Sequence, residues 1–235
     1  MFRFVTFTDK GPRLENEDAL DVLNRGSNYL TACIADGVGG LSCGSEAAQM
    51  SVSQFMNELT VNPEWNLKEL LLGIDTNIKA KATWKENCNG MATTFTGCII
   101  NEYSLIGVHV GDSRLCILRG NGVKQLTESH TELDRLIREG KIERQYASLY
   151  PRKHVLESAL GTANKLLIQQ FSFSLQSLDR VILSTDGFHE IVTKEEQRDL
   201  SVKLRDLDEL RDSLVKLIKR RKVTDNVSFV IIEIE

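Results

Sequence analysis

The sequence has little that would pull it away from an ordinary globular fold. Its 235 residues include only three prolines and no Gly/Ser-rich tract, so nothing marks a linker, and one layered domain spanning residues 1–235 is expected. No run approaches the roughly 20 apolar residues that cross a bilayer. The opening stretch MFRFVTFTDKG also lacks the apolar segment of a signal peptide. A cytoplasmic protein with no membrane partner is therefore expected. Neither charge sign dominates: the net charge is −4, with Lys and Arg scattered along the chain, which excludes the basic stripe of a nucleic-acid binder. The one basic cluster, residues 219–222, reads as a helix end, where cations complement the dipole. Five cysteines form an odd number without a CxxC pair, arguing against both a disulfide framework and a thiolate zinc site. Cys33, Cys98 and Cys116 lie in apolar runs and read as core.

What is present is a mixture of two hydrophobic periods. Apolar, β-branched runs at residues 29–35, 94–101, 104–110, 114–118, 166–173, 181–184 and 227–234 read as strands. Residues 44–59 and 67–85 repeat apolar side chains every three or four positions and read as adjacent helices. Ser129 with Glu132, and Thr193 with Glu196, fit the capping box of a helix start. A final amphipathic helix is expected over 207–219. Strands joined by short turns at 101–104, 111–113 and 120–122 favour antiparallel sheets over a βαβ repeat. Residues 131–154 are charged and aperiodic, as in a surface flap or binding loop. The fold class expected is α+β, with helices outside two packed sheets.

Five acidic motifs each follow or join a strand-like run: Glu17-Asp18 in RLENEDAL, Asp36-Gly37 in CIADGVGG, Asp112 in VHVGDSRL, Asp186-Gly187 in VILSTDGF and Asp225-Asn226 in VTDNVSFVII. Singly, an Asp-Gly or Asp-Asn pair beside a strand is a turn. Together they are harder to explain so simply. Turns at strand ends can gather on one edge of a sandwich, where carboxylates repel unless cations neutralise them. Oxygen-only donors select hard ions, Mg²⁺ or Mn²⁺. Two such ions about 3.5–4 Å apart activate water and polarise a phosphoryl oxygen, which suits a phosphate monoester, whose uncatalysed hydrolysis is among the slowest reactions known. Arg13, four residues before Glu17, has a guanidinium that matches phosphate oxygens. Arg114, beside Asp112, reads as structural.

The ordered set RLENEDA, IADGVGG, GSEAA, ATTFTG, VGDSRLCILRG, QLTESHT, LESALG, VILSTDGF and TDNVSFVIIEI resembles the metal-dependent protein phosphatase (PPM) family, the type 2C serine/threonine phosphatases, over about 220 residues. The resemblance implies a four-layer αββα sandwich, two antiparallel sheets flanked by helix pairs, with metals at one end. It further implies that Asp36 bridges two Mn²⁺ or Mg²⁺ ions, with Glu17 and the Gly37 carbonyl on one and Asp186 and Asp225 on the other. Asp112 and Asp186 are similar to a weaker third site. Asp18 resembles an outer carboxylate that holds water on the metals, Arg13 the residue that grips phosphate, and Asn226 the partner of the last aspartate. Residues 131–154 would be the flap that helps choose substrates.

Two positions depart from the family pattern. Val38 stands where many eukaryotic members carry a histidine proposed as general acid, so a leaving-group proton cannot come from that side chain. Ala92 replaces a glycine before the Thr-Thr pair. The missing histidine and the compact size point to a bacterial-type enzyme. None of the four histidines is expected to be a ligand: His109 reads as a buried strand residue, and His130 and His189 as helix starts. Trp65 and Trp84 read as packing residues.

The activity expected is hydrolysis of phosphoserine and phosphothreonine in proteins without a covalent intermediate, by a monomer opposing a serine/threonine kinase. A phosphatase-like module that binds phosphoproteins without turnover would be expected to have lost ligands, yet every main carboxylate is in place. A small-molecule phosphomonoesterase would use the same site, because the metals act on the phosphoryl group and loops read the remainder.

Overall fold

The computed structural model describes residues 1–38, 43–62, 66–85, 87–163 and 165–235. Two five-stranded antiparallel sheets form its centre. The first has the order β1-β10-β9-β6-β7, from Phe2–Asp9 (β1), Val227–Ile234 (β10), Arg180–Ser184 (β9), Arg114–Arg119 (β6) and Gly122–Gln125 (β7). The second has the order β2-β3-β4-β5-β8, from Asp18–Asn24 (β2), Tyr29–Asp36 (β3), Phe95–Asn101 (β4), Ser104–Val110 (β5) and Gln169–Ser174 (β8). Helices α1 (Gly44–Val61) and α2 (Leu67–Trp84) cover the second sheet; α5 (Lys194–Lys203) and α6 (Leu207–Lys219) lie on the side of the first. The layers are thus α, β, β, α.

The period of two explains why three cores form rather than one. Along β3, Ala32 and Ile34 face the other sheet, while Cys33 and Ala35 face α1 and α2. Along β10, Val230, Ile232 and Ile234 enter the inter-sheet core, while Phe229 and Ile231 meet Leu210, Leu214 and Ile218 of α6. Both faces of these central strands are buried, so they read as continuous apolar runs. Fully buried Phe55, Phe95, Phe188 and Phe229 anchor the outer layers, each contributing about 1.5–3 kcal/mol relative to exposure.

The structure adds three strands to those expected, β1, β2 and β7, and starts β8 at Gln169 rather than 166. The Thr193 capping box forms as expected. At the other expected start, the cap is Thr131, whose Oγ1 accepts from Asp134 N at 3.2 Å, and not Ser129. Thr131 is held there by a bridge to Leu156, and Glu132 instead accepts from the Tyr150 hydroxyl and Arg152. The 131–154 segment is correspondingly less irregular than expected, holding α3 (Glu132–Arg138) and a 3₁₀ turn at Arg144–Leu149.

Cysteine chemistry also differs. Cys43 and Cys88, 45 residues apart, form a disulfide, while Cys33, Cys98 and Cys116 are free and buried. No spacing in the chain announces a pair separated by a whole helical hairpin. Trp84 is not a packing residue, being 88% exposed, and Trp65 lies outside the described residues. No helix among the described residues is long and apolar enough to cross a membrane.

Candidate metal centre

Register places all five acidic motifs at one end of the sandwich. Asp18 opens β2 opposite Asp36, which closes β3. The end of β5 leads to Asp112, the end of β9 leads to Asp186, and the chain enters β10 directly from Asp225 and Asn226. Asp186 begins the short helix α4 (Asp186–His189). A cavity of about 420 Å³ opens there, lined by Arg13, Glu17, Asp36, Gly37, Val38, Thr94, Asp112, His154, Leu156, Asp186 and Asp225. The structure therefore brings together every metal-binding candidate read from the sequence.

Close backbone approach explains the glycines of these motifs. A Cβ on Gly37 would collide with the backbone of Gly44 and lie 3.0 Å from the Glu17 Cβ. A Cβ on Gly187 would collide with the Asn226 carbonyl. Asn226 sits behind the cavity as a clamp: its Oδ1 accepts from Glu17 N at 2.9 Å, and its Nδ2 donates to the carbonyls of Lys10 and Glu15 at 2.8 and 2.9 Å. It thus fixes Glu17 to the turn carrying Asp225. The Asp112 turn is locked by two histidines. His130 exchanges hydrogen bonds with Gly111, and His109 Nε2 donates to the carbonyls of Gly111 and Glu128 at 3.0 Å while Thr96 meets its Nδ1 at 2.8 Å. Burial pushes the imidazole of His109 down to about 3 and that of His130 to about 4, so both are neutral structural groups.

The carboxylates are electrostatically uncomfortable without cations. Burial, and then the charges of Asp18, Asp186 and Asp112, raise Asp36 well above the carboxylate range. Burial and neighbouring carboxylates push Asp18 and Asp112 each up to about 7, against the opposing hydrogen bonds. Asp186 and Glu17 are raised as well, chiefly by burial. Asp186 is among the charges that raise Asp36, and Asp225 among those that raise Asp186, so the acidic residues repel one another across the cavity. Asp18 stands behind them: Oδ2 accepts from Thr185 Oγ1 at 2.9 Å, whereas the buried Oδ1 has no partner.

These features fit hard divalent ions: all donors are oxygens, their charges are only partly compensated, and one buried oxygen is orphaned. Among the described residues the carboxylates do not crowd within the span of a single ion. The one set whose ligand atoms all lie within 4.8 Å is Cys43, Glu46 and Cys88. Its sulfurs are joined in the disulfide, and Glu46 is paired with Lys81 and Lys85, so it is spent as a metal site. Donors spread around a cavity suit a pair of ions.

Arg13 reaches the cavity but is not idle. Its Nη2 donates to Asp225 Oδ2 at 2.6 Å and its Nε to the Thr224 carbonyl at 3.3 Å. Two wall residues escaped the sequence reading. Thr94 Oγ1 accepts from Asp36 N at 3.0 Å and meets Ser113 Oγ at 2.9 Å, fixing the central aspartate. His154, with Nδ1 3.3 Å from Glu190 Oε1, lines the cavity from the flap. The Thr-Thr pair was a signal for the first; nothing in the sequence singled out the second. His189, expected at a helix start, is the last residue of α4.

The chain is similar to known proteins over most of its length. The family model of protein phosphatase 2C matches residues 12–223. A serine/threonine phosphatase, stp, of Listeria welshimeri is 31% identical, over 96% of this chain and 93% of its own. The protein phosphatase PhpP of Streptococcus pneumoniae is 25% identical, over 96% and 94%. Among solved structures, the serine/threonine phosphatase Stp1 from Staphylococcus aureus superposes with a TM-score of 0.91 at 25% identity, over 100% of this chain and 96% of that one. The phosphatase PstP/Ppp of Mycobacterium tuberculosis gives 0.87 at 26%, over 100% and 99%.

Proposed function

The chain belongs to the protein phosphatase 2C family, and from that premise we propose how it works as a metal-dependent protein serine/threonine phosphatase. Its substrates are phosphorylated proteins, which it hydrolyses at phosphoserine and phosphothreonine. Asp36 would stand between two Mn²⁺ or Mg²⁺ ions, with Glu17 and the Gly37 carbonyl on one side and Asp186 and Asp225 on the other. Asp112, with Asp186, would hold a weaker third. When bound, such ions activate water and polarise the phosphoryl oxygens.

The chain's own groups do the rest. Arg13 sits at the cavity wall with its guanidinium on Asp225. Cations held by Asp225 would compete for that carboxylate, and the Arg13 fork would then be free to orient the substrate's phosphate oxygens. Asp18 offers its partnerless Oδ1 as the buried acceptor for the attacking water. Asn226 and Thr94 keep Glu17 and Asp36 at fixed places, so little reorganisation accompanies reaction. Val38 lines the cavity and has no proton to give the departing oxygen, so solvent supplies it. A serine/threonine kinase acting on the same proteins is the opposing activity.

The observation that carries this reading is the convergence of Glu17, Asp36, Asp112, Asp186 and Asp225 on one cavity, where burial and mutual repulsion raise Glu17, Asp36, Asp112 and Asp186. Purified protein should hydrolyse an aryl phosphate and a phosphothreonine peptide with Mn²⁺ and lose both activities in a chelator. Turnover that ignores the chelator would refute it.

A further inference from the structure

A second pocket lies beside the metal centre and has the opposite charge. It encloses about 450 Å³, and its walls include Arg114, Arg138, Arg144 and Lys194 together with Glu128 and Asp134. Four cations thus face two carboxylates in a chain whose net charge is −4. Both carboxylates are engaged: Glu128 pairs with Arg138 at 3.2 Å, and Asp134 Oδ2 accepts from the Thr131 hydroxyl at 2.7 Å. Among the described residues, Arg114, Arg144 and Lys194 form no ion pair. The Arg114 Nε is buried and has no hydrogen-bond partner. A buried guanidinium N–H without an acceptor is costly in a folded protein unless a ligand completes it.

This pocket adjoins the catalytic cavity. A smaller cavity of about 250 Å³ between them shares Asp112, His154 and Asp186 with the metal centre, and Arg114, Ser129 and Arg144 with the cationic pocket. A polypeptide held with its phosphoresidue at the metals can therefore place a neighbouring side chain among these cations. Three elements supply them: Arg114 begins β6, Arg144 begins the 3₁₀ turn of the flap, and Lys194 begins α5. Their convergence is a tertiary feature that no local motif displays.

We propose that the pocket of Arg114, Arg144 and Lys194 is a second oxyanion site, which takes a carboxylate or phosphate on the substrate polypeptide close to the phosphoresidue being hydrolysed. The site rests on the phosphatase reading and gives it a substrate class: acidic or multiply phosphorylated segments. Guanidinium and ammonium groups recognise either oxyanion by charge-assisted hydrogen bonds, and Arg114 would gain the acceptor its Nε lacks.

The test compares three phosphothreonine peptides that differ only in flanking residues: neutral, glutamate-rich, and carrying a second phosphate as phosphoserine. Phosphate release from threonine is followed by mass spectrometry, for the wild type and for the Arg144→Gln/Lys194→Gln variant, with p-nitrophenyl phosphate as a substrate that cannot reach the pocket. The wild type should favour at least one of the anionic peptides over the neutral one by about tenfold in kcat/KM, the scale of one charged hydrogen bond. The double variant should lose that preference while keeping its rates on the neutral peptide and the aryl phosphate. Preference for both anionic peptides assigns the site to oxyanions in general, and preference for the second phosphate alone assigns it to phosphate. Equal rates on all three peptides, or a preference that survives in the variant, would overturn the site while leaving the phosphatase reading intact. Failure to hydrolyse even the aryl phosphate would overturn both.

Discussion

Strands β9 and β10 carry buried charge at both ends, and the two ends are built in opposite ways. Where β9 begins and β10 finishes, Arg180 (5% exposed) pairs with Glu233 (8% exposed) at 2.7 Å and donates further to the carbonyls of Ser201, Leu204 and Arg205. Beside them the buried Asp179 accepts two hydrogen bonds from Arg119, at 2.8 and 2.6 Å. Arg119, Asp179, Arg180 and Glu233 thus all find partners within the chain. At the other end, Asp18, Asp36, Asp112 and Asp186 gather together while Arg13 donates to Asp225 and the Thr224 carbonyl, and Arg114 only partly offsets the burial of Asp112. The same sheet shows that the sequence can satisfy buried charge when structure alone requires it. The unsatisfied end fits the cation site proposed above.

The largest test of this contrast neutralises one charge at each end. Asp36→Asn should cut turnover on an aryl phosphate by about 10³-fold or more, yet raise the melting temperature of the metal-free protein at pH 8, because a neutral amide avoids the cost of burying that carboxyl group among like charges. Glu233→Ala should do the reverse. It strands Arg180 and is expected to cost about 3–5 kcal/mol in denaturant unfolding, while leaving kcat of the folded fraction unchanged. Equal destabilisation by both changes would erase the distinction between the ends.

A pH titration of stability comes next in size. In the metal-free protein Asp18 and Asp112 are pushed from near 4 up to about 7. Between those values the folded state holds protons that the unfolded state has released, so stability is present below this window and is lost as pH rises through it. The melting temperature at pH 5 should exceed that at pH 8 by on the order of 10 °C. Saturating Mn²⁺ should reverse the slope, because ions bind the ionised carboxylates and compete with protons. The smallest effect is expected from Arg13→Ala, about a tenfold rise in KM with a lesser change in kcat, measured on a phosphothreonine peptide. Unchanged kinetics would return Arg13 to a structural role on Asp225.

How much of this was visible in the sequence follows burial. The central strands β3, β4, β5, β9 and β10 are covered on both faces, and their apolar runs locate them to within a residue or two. The four strands the sequence missed or misplaced, β1, β7, β2 and β8, are the four sheet edges. Edge strands bury only part of their side chains, as in FRFVTFTD and DALDVLN, so polar residues interrupt the signal. That the acidic residues gather at one end was legible because their turns flank those strongly patterned strands. Thr94 and His154 were not, since a threonine that fixes an aspartate and a flap histidine beside Glu190 are defined only by tertiary contacts. The Cys43–Cys88 bond and the Arg114, Arg144 and Lys194 pocket were hidden for the same reason.

The most direct measurement is titration calorimetry of the intact protein with Mn²⁺, paired with anomalous diffraction from Mn²⁺-soaked crystals. At least two ions per chain are expected, bracketing Asp36 and touching Glu17, Asp186 and Asp225, with binding greatly weakened by Asp36→Asn. An intact fold that takes up no manganese or magnesium beside those residues would contradict the assignment of the acidic end as a metal centre.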